Sequence, residues 1–343
     1  KGWLRGWGQP AAYTLDQLRR WKRGERRNDP LGVMSRAVAG LTEAEKDELA
    51  PFYRRLLRGI DALYTLGELS VHAHHAFGRG LHLADMAALP VLLVVVPAQH
   101  LARVLADLPD AERDLVLCAK GIEAGTGRLM GDVAAAAAPS ARLAVLSGPT
   151  FAHEVAAGLP TAVTLACSGG QAQWDRLAPV LSRPALRPYY SDDVIGAEIG
   201  GSVKNVLAIA CGVVDGLGLG QNARAALIAR GYAEMLRFGL AKGARAETLS
   251  GLCGLGDLVL TCSSTSSRNF SLGKALGEGL SAAEALAGKN SVAEGAHTAP
   301  VLADLARRDG IAMPIVDAVC KLLAGEAPAR AVVAELLARP LKP

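Results

Sequence analysis

The run Val91-Leu-Leu-Val-Val-Val96, stopped by Pro97, constrains the fold more than any other stretch of the chain. An unbroken Val/Leu segment of this length, closed by a breaker, is the pattern of a strand buried on both faces of a parallel sheet. A helical stretch from Ala98 to Leu108 follows, then a second apolar strand, Asp114-Leu-Val-Leu-Cys-Ala119. An alanine-rich helix near Ala134 leads into a third strand, Arg142-Leu-Ala-Val-Leu146. Strand, helix, strand, helix, strand is the grammar of an α/β layer, with ligands expected at the carboxyl ends of the strands. From about Asp192 the strand pattern stops and helices take over, so the spacing predicts an α/β unit joined to an all-α one.

The chain has 343 residues, enough for two domains with separate cores. Half of them are hydrophobic and a fifth are charged, as in ordinary globular proteins. The longest apolar run, Leu89 to Ala98, is too short to span a bilayer, and no charged leader precedes a signal-like segment. These features predict a cytoplasmic chain without a membrane span. Six scattered cysteines, Cys118, Cys167, Cys211, Cys253, Cys262 and Cys320, form no C-x-x-C pair, so they predict reduced thiols and no metal centre.

Charge divides the chain unevenly. Through Ile60 there are 13 Lys/Arg against 7 Asp/Glu, a balance of +6, which leaves −2 for the remainder of a chain whose net charge is +4. The basic run Arg19 to Arg27 reads as a solvated face, and no nucleic-acid partner is expected. A short helix over Tyr13 to Trp21 is broken at Asn28-Asp-Pro30, and Thr42 with Glu45 has capping-box spacing for another. Gln9 to Leu18, Arg26 to Pro30, Met34 and Leu41 to Tyr53 together resemble the C-terminal part of small c-type cytochromes. That resemblance implies an axial haem ligand at Met34, but the sequence has no C-x-x-C-H, so Met34 reads as an apolar filler. Residues 1–58 are therefore expected to form a helical N-terminal extension and residues 59–88, which include His72, His74 and His75, a linker. Residues 89–190 should form the α/β domain and residues 191–343 the helical domain.

Within Gly196 to Gly216, Val203, Val206, Leu207, Ala210, Val213 and Val214 recur at helical spacing. Gly200 and Gly201 permit close packing, and Ser202 has the chemistry of an N-cap, which would place Lys204 and Asn205 near a helix start. A lysine losing hydration there has a lowered pKa and can accept a proton near neutral pH; a lysine snorkelling into water cannot. After Gly216, Gly218 and Gly220, a helix opening at Asn222 carries Arg230, Glu234 and Arg237 as a polar stripe, which reads as solvated. Gly148 and Thr150, beyond the third strand, suit either a ligand or a turn. The run Thr261-Cys-Ser-Ser-Thr-Ser-Ser-Arg-Asn269 suits either a linker or a phosphate monoester, which needs hydroxyls, a planar cation and a helix start.

Seven motifs now stand in order: Val96-Pro97, Cys118-Ala-Lys-Gly-Ile-Glu123, Leu146-Ser-Gly-Pro-Thr-Phe-Ala152, Val203-Lys-Asn205, Gly254-Leu-Gly-Asp-Leu258, Ser267-Arg-Asn269 and Val292-Ala-Glu-Gly295. With them, the chain from Leu89 to its C-terminus resembles the bacterial NAD(P)-dependent glycerol-3-phosphate dehydrogenase family. The resemblance implies an incomplete Rossmann-type parallel sheet followed by a helical substrate domain, NAD or NADP as cofactor, and a possible homodimer. It also implies reduction of dihydroxyacetone phosphate to glycerol 3-phosphate for phospholipid synthesis. By the same likeness Lys204 is the proton acceptor, and Lys120, Gly148, Thr150, Lys204, Asp257, Ser267, Arg268 and Asn269 bind substrate. Lys120, Ala152, Arg268, Val292 and Glu294 correspond to cofactor contacts. The family's opening G-x-G-x-x-G does not precede Leu89, where Gly78-Arg-Gly80 is the nearest approach. A second reading is therefore a catalytically impaired chain that retains a phosphate-ligand pocket. An electron-transfer module fails on the missing haem attachment.

Overall fold

The computed structural model describes residues 89–287 and 293–339. The expected N-terminal extension and linker lie outside these residues, with Met34, the His72–His75 cluster and Gly78-Arg-Gly80; so does Val292. Strand β1 (Val91–Val94) passes through a 3-10 turn, Ala98–His100, into α1 (Leu101–Ala106). Then come β2 (Asp114–Leu117), α2 (Met130–Ala137) and β3 (Arg142–Ser147), followed by α3 (Ala152–Ala156), β4 (Thr161–Cys167), α4 (Gly170–Leu181) and β5 (Leu186–Ser191). The sheet order is β1-β2-β3-β4-β5. It is parallel from β1 to β3 and between β4 and β5, while β3 and β4 run antiparallel.

The three strands foreseen from apolar runs are present. The last two were not foreseen; Pro188 and two exposed tyrosines disguise β5, an edge strand with a single buried residue. Both sides of the sheet are covered. Leu115 and Leu117 pack with Leu92, Val94, Leu101, Leu105, Met130 and Val133 on one side; Val116 packs with Ala144, Leu165, Leu177 and Leu181 on the other. This explains why β2 reads as continuously apolar rather than alternating: all four of its residues are buried.

The helical unit is built around α5 (Val194–Gly216), followed by α6 (Gly220–Ala241), α7 (Ala246–Ser250), a π turn over Leu252–Gly256, α8 (Asp257–Thr261), α9 (Arg268–Gly277) and α10 (Ala282–Leu286). The remaining helices are α11 (Glu294–Arg308), α12 (Pro314–Ala324) and α13 (Ala329–Leu337). Helix α5 is long and apolar enough to cross a membrane, but 89% of that window is buried within the protein, the burial of a core helix. It packs at backbone distance on α9: a Cβ at Gly212 would collide with the Phe270 carbonyl oxygen, and one at Gly273 with that of Ile209. Glycine at these positions therefore fixes how closely the helix bearing Lys204 approaches the helix that begins at Arg268.

Two expectations are corrected here. Ser202 is not an N-cap: α5 begins two turns earlier, where Asp193 Oδ1 accepts from Gly196 N at 2.8 Å, and the Ser202 hydroxyl instead donates to the Glu198 carbonyl at 2.8 Å. Gly200 and Gly201 do not break the helix because their missing side chains admit the Cys253 carbonyl and the Ser147 hydroxyl against its surface. Lys204 is consequently in mid-helix and only 6% exposed. Glu234 does not belong to a solvated stripe. It is 2% exposed and accepts from Ile315 N at 2.9 Å and Val316 N at 3.4 Å, holding the start of α12, and burial pushes its pKa up to about 7.

Candidate active site

The carboxyl ends of β2 and β3 meet α5, α8, α9 and α11, and four of the predicted residues converge there around one carboxylate. Asp257 opens α8 and is 1% exposed. Its Oδ1 accepts from Lys204 Nζ at 2.6 Å and its Oδ2 from Lys120 Nζ at 2.8 Å. Thr261, one turn further along α8, receives a hydrogen bond from Lys204 Nζ at 2.9 Å and donates to Asp257 Oδ1 at 3.2 Å. Lys120 also donates to the Gly148 carbonyl at 3.2 Å, which is shared with the Thr150 hydroxyl at 3.3 Å. Gly148 lies against β4, where a Cβ would stand 2.9 Å from Val163 Cα.

One carboxylate between two ammonium groups divides them electrostatically. Burial pulls Lys204 down to about 8, and the neighbouring Lys120 charge adds to that, against the opposing pull of Asp257. Burial also acts to lower Lys120, but Asp257 outweighs it and its pKa rises. Asp257 is buried yet held below its ordinary range by the two lysines, so it stays charged. The site therefore carries a fixed ion pair, Lys120 with Asp257, beside a second lysine that gives up its proton more readily. The Lys120 side chain is 17% exposed and the Lys204 side chain 7%, so the cluster reaches the surface on the Lys120 side.

A second chain of hydrogen bonds fixes the surroundings. Asn205 Nδ2 donates to the Lys120 carbonyl at 3.1 Å, Asn269 Nδ2 donates to Asn205 Oδ1 at 3.0 Å, and Gly295 N donates to Asn269 Oδ1 at 2.9 Å. Backbone groups at both ends determine which way each amide points. The predicted Ser267 caps α9, its hydroxyl accepting from Phe270 N at 3.2 Å, and Arg268 is exposed at the first position of that helix. Glu294 opens α11 and accepts from Ala98 N at 3.2 Å; burial raises its pKa while Arg268, Lys120 and Lys204 oppose the rise. Ala152 is exposed at the start of α3. Sequence reasoning did not single out Thr261, whose place four residues after Asp257 was a legible signal. Among the described residues no three His, Cys, Asp or Glu side chains gather as a metal site.

The sheet, with a helix-borne lysine of lowered pKa at its carboxyl edge, defines a Rossmann-type oxidoreductase. Models of the NAD-dependent glycerol-3-phosphate dehydrogenase N-terminus and C-terminus match residues 81–173 and 193–334. The chain belongs to that family, whose members use NAD or NADP. It is 74% identical over 302 residues to glycerol-3-phosphate dehydrogenase [NAD(P)+] of Erythrobacter litoralis, covering 88% of this chain and 87% of the relative. The corresponding protein of Novosphingobium aromaticivorans is 75% identical over 259 residues, covering 76% and 78%. A crystal structure of glycerol-3-phosphate dehydrogenase from Coxiella burnetii superposes with a TM-score of 0.72 at 42% identity, covering 76% of this chain and 80% of that one. The N-terminal family match opens at residue 81, ahead of Leu89, and the Erythrobacter match is too long to fit within residues 89–343. The likeness to this family therefore starts earlier than the motifs placed it.

Proposed function

We propose that the chain interconverts dihydroxyacetone phosphate and glycerol 3-phosphate, with Lys204 as the group that takes the proton from the C2 hydroxyl and returns it in reduction. The observation that carries this reading is the Asp257 carboxylate between Lys204 Nζ at 2.6 Å and Lys120 Nζ at 2.8 Å. Lys120 and Asp257 stay ionised and hold Lys204 in place, so the one group of the three that changes charge near neutral pH is the more deeply buried of the two lysines. Thr261 receives a hydrogen bond from the ammonium and so fixes its rotamer. Arg268, Ser267 and Asn269, with the start of α9, supply a phosphate monoester with a bidentate cation and backbone donors. Gly148 and Thr150 border the same edge.

The described residues fit the nicotinamide end of a dinucleotide. Lys120, Ala152, Arg268 and Glu294 would hold that end, and the cofactor, when bound, supplies the hydride acceptor or donor. The pyrophosphate end is another matter. Before Leu89, Gly6-Trp-Gly8-Gln-Pro-Ala11 has the G-x-G-x-x-A spacing, with a proline inside it, and so approaches the fingerprint more nearly than Gly78-Arg-Gly80; both lie outside the described residues. The second reading is a chain impaired in cofactor binding that retains a phosphate-ligand pocket.

The remaining readings keep residues 89–190 as a dinucleotide domain, residues 191–343 as a substrate domain, a homodimer, and a cytoplasmic location. Oxidation of NADH or NADPH by dihydroxyacetone phosphate, but not by unphosphorylated dihydroxyacetone, supports the first reading. Binding of glycerol 3-phosphate without turnover at any attainable cofactor concentration supports the second.

A further inference from the structure

Three positions of α5, Glu198, Gly201 and Asn205, follow one another at helical spacing and all face the segment that carries Lys120. Asn205 holds the Lys120 carbonyl. Gly201 lies under the Lys120 stem, where a Cβ would stand 3.3 Å from Lys120 Cγ and 2.9 Å from Ser147 Oγ. Glu198, 6% exposed, lies at the far end of this seam. Its Oε1 accepts from Gly131 N at 2.6 Å, and the Met130 N–H also bonds to this carboxyl, so it caps the start of α2 from another part of the fold. The residue just before that helix, Leu129, forms a β-bridge with Ile122, and Glu123 N donates to the Arg128 carbonyl at 3.0 Å. The loop from Lys120 to Met130 is thus closed on itself and fastened to α5 at two points, Asn205 near its beginning and Glu198 at its end.

Neither Glu198 nor Gly131 touches the two lysines. We propose that Glu198 is a positioning residue: by gripping the N-terminus of α2 it sets the distance of Lys120 from the Asp257–Lys204 pair, and so the basicity of Lys204. The proposal rests on the reading of Lys204 as the proton-transfer group. The local charges facing Glu198 are those of Asp132 and the α2 N–H groups, and among the described residues no cation is paired with it. If the grip is lost, Lys120 recedes, Lys204 loses its like-charged neighbour and takes a larger share of Asp257, and its pKa rises.

Competitive labelling of the full chain with trace acetic anhydride across pH reads the titration of Lys204 and Lys120 separately by mass spectrometry, with no need for substrate or cofactor. Lys204 in the unaltered chain titrates at about 8. Glu198→Ala moves that midpoint upward by about one pH unit and weakens glycerol 3-phosphate binding about tenfold, with Glu198→Gln intermediate. Gly131→Ala is the second arm. Gly131 has no left-handed backbone, so alanine fits the helix, but the added Cβ comes to 3.1 Å from Glu198 Oε2 and presses on the same contact. It shifts Lys204 in the same direction without lowering thermal stability, and combining it with Glu198→Ala adds nothing further. A Lys204 midpoint unmoved in folded Glu198→Gln and Gly131→Ala chains, or a midpoint that moves only in step with lost stability, overturns the proposal. A shifted midpoint in a chain that fails to bind glycerol 3-phosphate would leave the tie standing and strike the substrate reading instead.

Discussion

Lys204 and Lys120 donate to opposite oxygens of one buried carboxylate, at 2.6 and 2.8 Å, and this shared counter-charge is what makes them unequal. Lys120 keeps its proton because Asp257 overcomes its burial. Lys204 is pulled down to about 8 because burial and the Lys120 charge together exceed the help it receives from Asp257.

Removing the carboxylate tests that division. Asp257→Asn leaves two buried ammonium groups without their counter-charge, a loss of about 3 kcal/mol of stability or more. Urea denaturation checks the loss, and it should shrink as pH rises towards 8, because Lys204 without Asp257 sheds its charge below the value of about 8 that it has in the unaltered chain.

Arg268→Lys should raise the KM for the phosphorylated substrate about tenfold while thermal stability changes little, because a planar fork is replaced by a point charge. Arg268 is exposed at a helix start, which is why the fold is indifferent to it. Steady-state kinetics with a thermal melt separates the two effects, and an unchanged KM would point to a different phosphate ligand.

Glu234 should make stability fall as pH rises. Its pKa is raised from 4.5 to about 7, so the folded chain holds a proton that the unfolded chain has released between these values. The contribution is fully present below about 4.5 and lost as pH passes 7. Glu234→Gln should reduce the difference in unfolding free energy between pH 5 and pH 7.5 by about 2 kcal/mol. Equilibrium denaturation of both chains at the two pH values measures it.

Much of this was legible in the residues. Apolar runs located β1, β2 and β3, and the motif order located the cluster, because a buried parallel strand and a family's polar positions both leave strong local marks. What failed depended on long-range contact. Ser202 has cap chemistry just before the apolar periodicity begins, but Asp193 opens α5 earlier, and the close packing expected at Gly200 and Gly201 is present, against the Cys253 carbonyl and the Ser147 hydroxyl. Glu234 was read as solvated because nothing near it in sequence shows that the start of α12, eighty residues on, donates to it. Thr261 opens a run that suits either a linker or a phosphate site, and its spacing of four from Asp257, which puts both on one helix face, is the mark that singles it out.

The cofactor loop gives another test. On the second reading, the pyrophosphate lacks several charge-assisted hydrogen bonds of about 1.5–3 kcal/mol each, and NADH binds orders of magnitude more weakly than to family members. Micromolar NADH binding by the unmodified chain, seen by calorimetry, would mean that another segment cradles the pyrophosphate.

The most direct measurement of the account is the pH dependence of kcat/KM for glycerol 3-phosphate oxidation at the highest attainable NAD concentration, in the unaltered chain and in Lys204→Ala. The account predicts a rate that climbs through a midpoint at about 8, where Lys204 loses its proton, and levels off above it. It also predicts that Lys204→Ala abolishes turnover while circular dichroism shows the fold intact. A near-normal kcat in Lys204→Ala, or a profile flat through pH 8 in the unaltered chain, would contradict it.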